Sequence, residues 1–163
     1  MVDLMVFDPG RKEAIAKIAA CFKAMLGNDL NMDSFEDRIR LQKIMYILKH
    51  AGFGFGYSFG WHIRGPYSPE LADDGYAYKE NKEKMAFSYV FSVKEKQIID
   101  RITPISGYLK TEENSELLAS LLYLSRLLGI TGDKLKDELK TRKPRFSDED
   151  INKALEIWMN VSS

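Results

Sequence analysis

Residues 40–49 read RLQKIMYILK, and after a glycine-rich break residues 61–71 read WHIRGPYSPEL. The first run has apolar side chains at helical spacing, whereas the second begins as an alternating strand and ends by starting another helix. Ser68 is a suitable N-cap for that helix, Pro69 suits its first position, and Glu70 adds an acid that the helix dipole favours. We therefore expect the fold and any binding site to be organised around these two runs.

Length and composition predict a single globular unit. The 163-residue chain has 24 basic and 24 acidic side chains, and 45% of its residues are hydrophobic. These values predict one domain, residues 1–163, with one hydrophobic core. A formal net charge of zero argues against a protein built mainly to neutralise phosphates. The sequence has no apolar run of about 18 residues and no signal sequence, so we expect a cytoplasmic protein without membrane contact.

Helical spacing combined with capping residues predicts seven helices. Their signals begin at Asp8, Ser34, Ser68, Ser92, Leu117, Thr131 and Ser147. The third helix is expected to be interrupted at Gly75, and residues 110–114 are expected to form a loop. The leucine-rich run from Leu117 to Leu128 is apolar on most of its circumference. It should be the most buried helix, although a homodimer contact would explain the leucines as well.

Two segments alternate in the way that half-buried strands do. Residues 57–63 and residues 85–91 both place aromatic or aliphatic side chains at every second position. Because a lone strand leaves its backbone unpaired, we expect these segments to form an antiparallel ribbon. The predicted fold class is mainly α: a compact single-domain multi-helix bundle with a small two-stranded antiparallel β-ribbon, and a winged-helix-like arrangement stays open. Residues 1–7 are either a short strand or a tail docked on the core.

Little in the sequence indicates catalysis or metal binding. His50 and His62 lack metal-ligand spacing, and the single cysteine, Cys21, reads as a small core residue, so we expect no cofactor and no metal. The glycine-rich residues 52–60 lack the lysine and hydroxyl residue that end a phosphate-binding loop. The acids in residues 70–74 stabilise a helix start by about 0.3–1 kcal/mol each without any chemistry. The sequence therefore favours a binding protein over an enzyme.

Partner binding is better supported, because polar and aromatic side chains concentrate around the Gly-Pro turn. A guanidinium beside aromatic rings on a rigid corner can bind a carboxylate, a phosphate or a partner's backbone, and interfaces favour these residue types. The expected partner-binding residues are Trp61, His62, Arg64, Tyr67, Ser68 and Glu70. A structural role would use the same residue types, with Arg64 tying down the turn while Trp61 and Tyr67 fill the core. Both interpretations stay open at this point.

Nucleic-acid binding is the alternative, since helices followed by a ribbon permit a wing and basic residues form two sets. The residues expected to contact phosphates are Arg38, Arg40, Lys43, Lys49, Arg142, Lys143 and Arg145. Neutral net charge and the lack of an obvious recognition helix count against this alternative.

The two runs also carry a family resemblance. Residues 41–48, LQKIMYIL, and residues 64–71, RGPYSPEL, resemble two paired signatures of the Panacea domain superfamily, which includes the SocA-like antitoxins. The first signature is L-Q-K, two hydrophobic residues, Y and a hydrophobic residue; the second is Y-G-P, a hydrophobic residue or Y, then S or V, and then P-E. The chain looks most similar to the YwgA-like, largely uncharacterised bacterial and archaeal branch. The matching positions are Leu41, Gln42, Lys43, Tyr46, Gly65, Pro66, Ser68, Pro69 and Glu70. Where the superfamily often has tyrosine before Gly-Pro, this chain has Arg64.

The resemblance is strongest over residues 34–75, and it implies a mainly helical cytoplasmic domain that acts through protein contacts. In characterised relatives this action is toxin neutralisation or the delivery of a target for proteolysis, and those relatives offer no established catalytic residues to transfer. The implied role is a protein-interaction module with an unidentified protein partner, such as a toxin. A small enzyme of unknown reaction is the weakest alternative.

Overall fold

Seven α-helices, two short 3-10 helices (Thr103–Ile105 and Tyr108–Lys110) and one β-hairpin form the regular structure of residues 9–162, the part of the chain that the computed structural model describes. The helices are α1 Pro9–Leu26, α2 Phe35–His50, α3 Pro69–Asn81, α4 Val93–Ile102, α5 Glu112–Leu128, α6 Gly132–Arg142 and α7 Asp148–Val161. The hairpin consists of β1 Gly60–His62 and β2 Gly65–Tyr67, paired antiparallel. The predicted mainly helical class with a two-stranded antiparallel sheet is confirmed. The expectations for residues 1–7 and for Asp8 as a cap fall outside the described residues.

Local capping explains where α4 and α7 begin. The Ser92 hydroxyl accepts from the backbone N–H of Glu95, whose carboxylate accepts in return from the Ser92 N–H. Ser147 and Asp150 form the same reciprocal pair at the start of α7. Each box satisfies two N–H groups that an isolated helix end leaves unpaired. Both predicted starts are confirmed.

Two other predicted caps differ from expectation. Ser34 caps α2, but the Asp37 carboxylate accepts from the backbone N–H of Asn31 at 2.9 Å instead of returning to Ser34. Thr131 is the N-cap residue of α6, yet its side chain makes no capping hydrogen bond. The sequence pattern therefore located these helix starts without giving the bonds that form there.

Two expectations about helix boundaries are wrong. α3 runs through Gly75 without a break, and a Cβ at this position would lie 2.8 Å from the Met32 methyl carbon, so the glycine serves close packing. Residues 110–114 are not a loop throughout, because α5 already begins at Glu112. Thr111 accepts a backbone hydrogen bond at that start and acts as the cap.

The predicted ribbon exists with a different strand partner. β1 pairs with β2 across a two-residue turn of Ile63 and Arg64, whereas residues 85–91 belong to no strand or helix of the described chain. Residues 85–91 contact the loop before β1 instead, since the Phe91 ring lies edge to face with the Phe53 ring at a centroid distance of 6.1 Å. Ile63, expected on a buried face, is 94% exposed at the turn.

The core is built around α5, which packs along α2 and also contacts β2, α6 and α7. A larger apolar cluster joins α1, α2 and α4 to α5, and a smaller one joins α5 to α6 and α7. α2 buries ten of its 16 residues and α5 nine of its 17, so the expectation that α5 is the most buried helix is wrong. Cys21 belongs to the larger cluster, where burial raises the pKa of its thiol.

Candidate functional site

The two sequence runs that carry the resemblance form one hydrogen-bonded unit. Gln42 on α2 holds the chain at Ser68 with both ends of its amide: Nε2 donates to the Ser68 carbonyl at 2.9 Å, and Oε1 accepts from the Ser68 N–H at 2.8 Å. Lys43 Nζ donates to the Pro66 carbonyl at 2.7 Å. All four residues are buried, so these bonds fix β2 and the start of α3 on α2.

Gly65 lets the hairpin approach α5. Its φ of +93° lies in the region that favours glycine, and a Cβ at this position would overlap the Ser120 hydroxyl oxygen. The glycine before Pro66 is therefore required both by its backbone conformation and by the closeness of α5.

A pocket of about 420 Å³ opens between α2, the hairpin and α3. Its lining residues are Met32, Phe35, Arg38, Ile39, Leu41, Gln42, Lys43, His62, Ile63, Arg64, Tyr67, Ala72 and Tyr76. The lining is mainly apolar, with a few polar and cationic groups between the apolar ones. This volume and this composition are typical of ligand pockets, which hold roughly 300–1,000 Å³.

Large apolar side chains around this pocket are open to solvent. Phe35 at the start of α2 is 48% exposed, Tyr76 on α3 is 42% exposed, and Ile63 extends from the hairpin turn. The Arg64 and Arg38 guanidinium carbons lie 5.0 Å and 5.8 Å from the centre of the Phe35 ring. Exposed apolar groups clustered around one pocket, with cations beside them, are a feature of interaction sites.

A buried carboxylate beside the hairpin turn forms ion pairs with three basic side chains. Glu116 on α5 accepts from Lys143 Nζ at 2.9 Å and from Arg145, and an Arg64 guanidinium nitrogen lies 3.7 Å from its other oxygen. Lys143 also donates to the Ile63 carbonyl at 2.8 Å. This network joins α5, the hairpin turn and the segment between α6 and α7.

Burial and charge shift two pKa values in this region. Burial alone would raise the pKa of Glu116, but the hydrogen bonds and charges of Lys143 and Arg145 hold it below its usual value. Burial lowers the pKa of Lys43 to about 7, an effect that Glu116 opposes while Lys143 and Arg64 reinforce it. Lys43 therefore gains or loses its charge near neutral pH.

The structure brings three of the predicted partner-binding residues together and separates the other three. His62, Arg64 and Tyr67 line the pocket, and the His62 and Tyr67 rings lie 4.8 Å apart. Trp61 packs instead against the smaller core cluster, with its ring 5.8 Å from that of Tyr123.

The remaining two predicted residues mark the start of α3. Ser68 is completely buried, and its hydroxyl accepts from the Leu71 N–H as the N-cap. Glu70 is exposed in the first turn, where its carboxylate accepts from the Ser68 hydroxyl at 3.1 Å. Neither residue lines the pocket.

The basic residues considered for phosphate contacts all bond within the chain. Lys43 and Lys143 are buried, so their ammonium groups donate inside the fold. The other five pair as follows: Arg38 with the Met32 carbonyl, Arg40 with Asp37, Lys49 with the Tyr57 carbonyl, Arg142 with Glu138, and Arg145 with Glu116. These five reach the surface, and a nucleic-acid interface on them stays a prediction.

Sequence reasoning missed three residues that shape this site. Phe35 follows the apolar spacing of α2, and Ile63 fits a buried strand face. The exposure of Ile63 depends on where the hairpin turns, which periodicity does not reveal. Glu116 carried a weak signal, because it is an acid within a helix that is otherwise apolar on most sides.

Of the two aspartates in α3, Asp74 has a structural role and Asp73 faces solvent. Asp74 is buried and accepts from the Tyr57 hydroxyl at 2.6 Å and from Arg11 Nε at 3.0 Å. These bonds connect α1 and the loop between α2 and β1 to α3. Asp73 is exposed. Within residues 9–162, no three His, Cys, Asp or Glu side chains come together in a group that could hold a metal ion. None of the helices described is both long enough and apolar enough to cross a membrane.

The chain is similar to a curated bacterial protein. The chain is 26% identical over 140 residues to Uncharacterized protein YwgA from Bacillus subtilis strain 168, an alignment that covers 73% of this chain and 82% of the relative. This similarity supports the YwgA-like part of the resemblance. No protein-family model and no solved structure matches the chain.

Proposed function

We propose that this protein is a protein-interaction module whose working surface is the pocket between α2, the hairpin and α3. The observation that carries the proposal is the exposure of Ile63, Phe35 and Tyr76 around one pocket that also contains Arg64. Large apolar side chains, together with arginine, are the groups that protein interfaces concentrate at their centres. The Panacea-like resemblance supports the same class of function, as an antitoxin-like neutraliser or a proteolytic adaptor.

The hydrogen-bonded unit supports this surface by keeping it in place. Gln42 and Lys43 hold the strand that follows the turn, and Lys143 holds the turn itself through the Ile63 carbonyl. A surface fixed before binding loses less conformational entropy when a partner docks. The buried signature residues therefore act by positioning the exposed ones.

Ile63→Asp is the variant that tests the proposed surface. The Ile63 side chain is almost fully exposed, so this change should leave the stability of the fold unaltered while placing a charge at the centre of the interface. Val90→Asp is the matched control, because Val90 is 90% exposed and does not line the pocket.

The measurement is affinity capture from a lysate of the source organism with the wild type and both variants, followed by mass spectrometry. We expect the wild type and Val90→Asp to capture a partner protein in similar amounts, and Ile63→Asp to capture at least tenfold less of it. Equal retention by Ile63→Asp would refute the proposed surface. Capture that nuclease treatment abolishes would favour the nucleic-acid alternative instead.

A further inference from the structure

The charged side chains of the pocket all have the same sign. Arg38, Lys43 and Arg64 contribute to its lining, and the described residues that line it include no aspartate or glutamate. The Arg38 and Arg64 guanidinium groups converge on an apolar pocket whose lining holds no carboxylate, which creates a positive potential there that the low-polarity surroundings strengthen. This pocket therefore attracts an anionic group.

The carboxylate that pairs with Arg64 cannot cancel the Arg64 charge. Glu116 is shared by Lys143, Arg145 and Arg64, so a single negative charge faces three positive ones. Lys143 and Arg145 make the closer contacts, whereas Arg64 lies at 3.7 Å and its side chain is 43% exposed. Arg64 is thus the member of the network that an anion arriving from solvent meets first.

The apolar side chains at the rim of the pocket are open to solvent. A small molecule enclosed in about 420 Å³ would leave the hairpin tip uncovered, because Ile63 is almost entirely exposed. A polypeptide laid across the opening can place one side chain in the pocket and cover Phe35, Ile63 and Tyr76 with its neighbours. The distribution of apolar surface therefore favours a peptide segment.

We infer that the pocket binds a segment of a partner protein in which an aspartate or glutamate stands within two positions of a large apolar side chain. The apolar side chain enters the pocket, and the carboxylate binds the Arg64 guanidinium with Arg38 beside it. This inference rests on the proposed function and adds the chemistry that the partner must present.

The test is selection from a displayed library of random peptides on the immobilised full chain, followed by solution titration of synthetic peptides. We expect the selected peptides to be enriched in an acid next to an aromatic or aliphatic residue. Replacing that acid by its amide should weaken binding by about tenfold, as expected for a charge-assisted hydrogen bond. With Arg64→Gln the acid and amide peptides should bind about equally, whereas Arg142→Gln, outside the pocket, should keep the difference.

The outcomes separate this inference from the proposed function. Selected peptides that are apolar without an acid, and that Ile63→Asp no longer binds, would overturn the inference and leave the proposed surface standing. Peptides whose binding depends on the acid but survives both Arg64→Gln and Ile63→Asp would place the site elsewhere and overturn both. Enrichment of no peptide, or binding of duplex DNA in place of peptides, would also overturn both.

Discussion

Gly65 is the position at which a single added carbon atom should have the largest effect on the hairpin. Gly65→Ala would bring a methyl group onto the Ser120 hydroxyl and place alanine at a φ of +93°. We expect the free energy of unfolding to fall by about 2–4 kcal/mol, from overpacking and from the unfavourable backbone conformation together. Urea denaturation followed by circular dichroism measures this loss.

Ser120→Ala separates these two contributions. The Ser120 hydroxyl oxygen is buried and has no hydrogen-bond partner among the described residues, so its removal alone should change stability by less than about 0.5 kcal/mol. In the double variant with Gly65→Ala the overlap disappears and the backbone strain remains, so about half of the loss should be recovered. If the stability change of the double variant equals the sum of the two single changes, the contact with Ser120 is not the cause of the Gly65→Ala loss.

Among the helices, the start of α7 tests whether an observed capping bond matters more than a capping residue type. Ser147→Ala removes the hydroxyl that accepts from Asp150 N–H, and we expect the unfolding free energy to fall by about 1 kcal/mol. Thr131→Ala is the matched control, since Thr131 precedes α6 without a side-chain capping bond, and it should change stability by less than about 0.5 kcal/mol. Similar losses in both variants, measured by thermal unfolding, would contradict this assignment.

Helices could be predicted from the sequence better than strand pairing could. The reason is that helix caps join residues close together in the chain, whereas strands can pair across a long separation in sequence. The capping boxes at Ser92 and Ser147 lie within four residues, so the sequence contains the whole interaction. Pairing of residues 57–63 with residues 85–91 required knowledge of how distant segments approach. The turn at residues 63–64 gave β1 a partner much closer in the chain, and that local pairing has a smaller loop-closure cost.

At the scale of the whole molecule, the candidate site could be predicted only in part. Residue type and the Gly-Pro turn pointed to His62, Arg64 and Tyr67, and these three do line one pocket. The contribution of α5 could not be predicted, because the approach of Glu116 and Ser120 to the hairpin depends on packing of helices far apart in sequence. The burial of Lys43 could not be predicted for the same reason.

The same packing buries one amine, that of Lys43, and this burial makes the unfolding free energy depend on pH. In the folded chain burial lowers the pKa of Lys43 to about 7, whereas in the unfolded chain this pKa has the ordinary lysine value of 10.5. Between these values the unfolded chain binds more protons, so this group makes the unfolding free energy rise with pH. Its destabilising effect is greatest below about pH 7, where folding must bury a charged ammonium.

Lys43→Met removes this titration while keeping an unbranched apolar side chain in place. The unfolding free energy of the wild type, relative to that of Lys43→Met, should therefore increase between pH 7 and pH 9, at a slope of at most about 1.4 kcal/mol per pH unit. Urea denaturation at several pH values measures the slope, and Lys84→Met, which changes an exposed lysine, is the control and should run parallel to the wild type. Parallel curves for Lys43→Met as well would mean that this ammonium stays charged in the fold, and that its bond to the Pro66 carbonyl offsets the cost of burial.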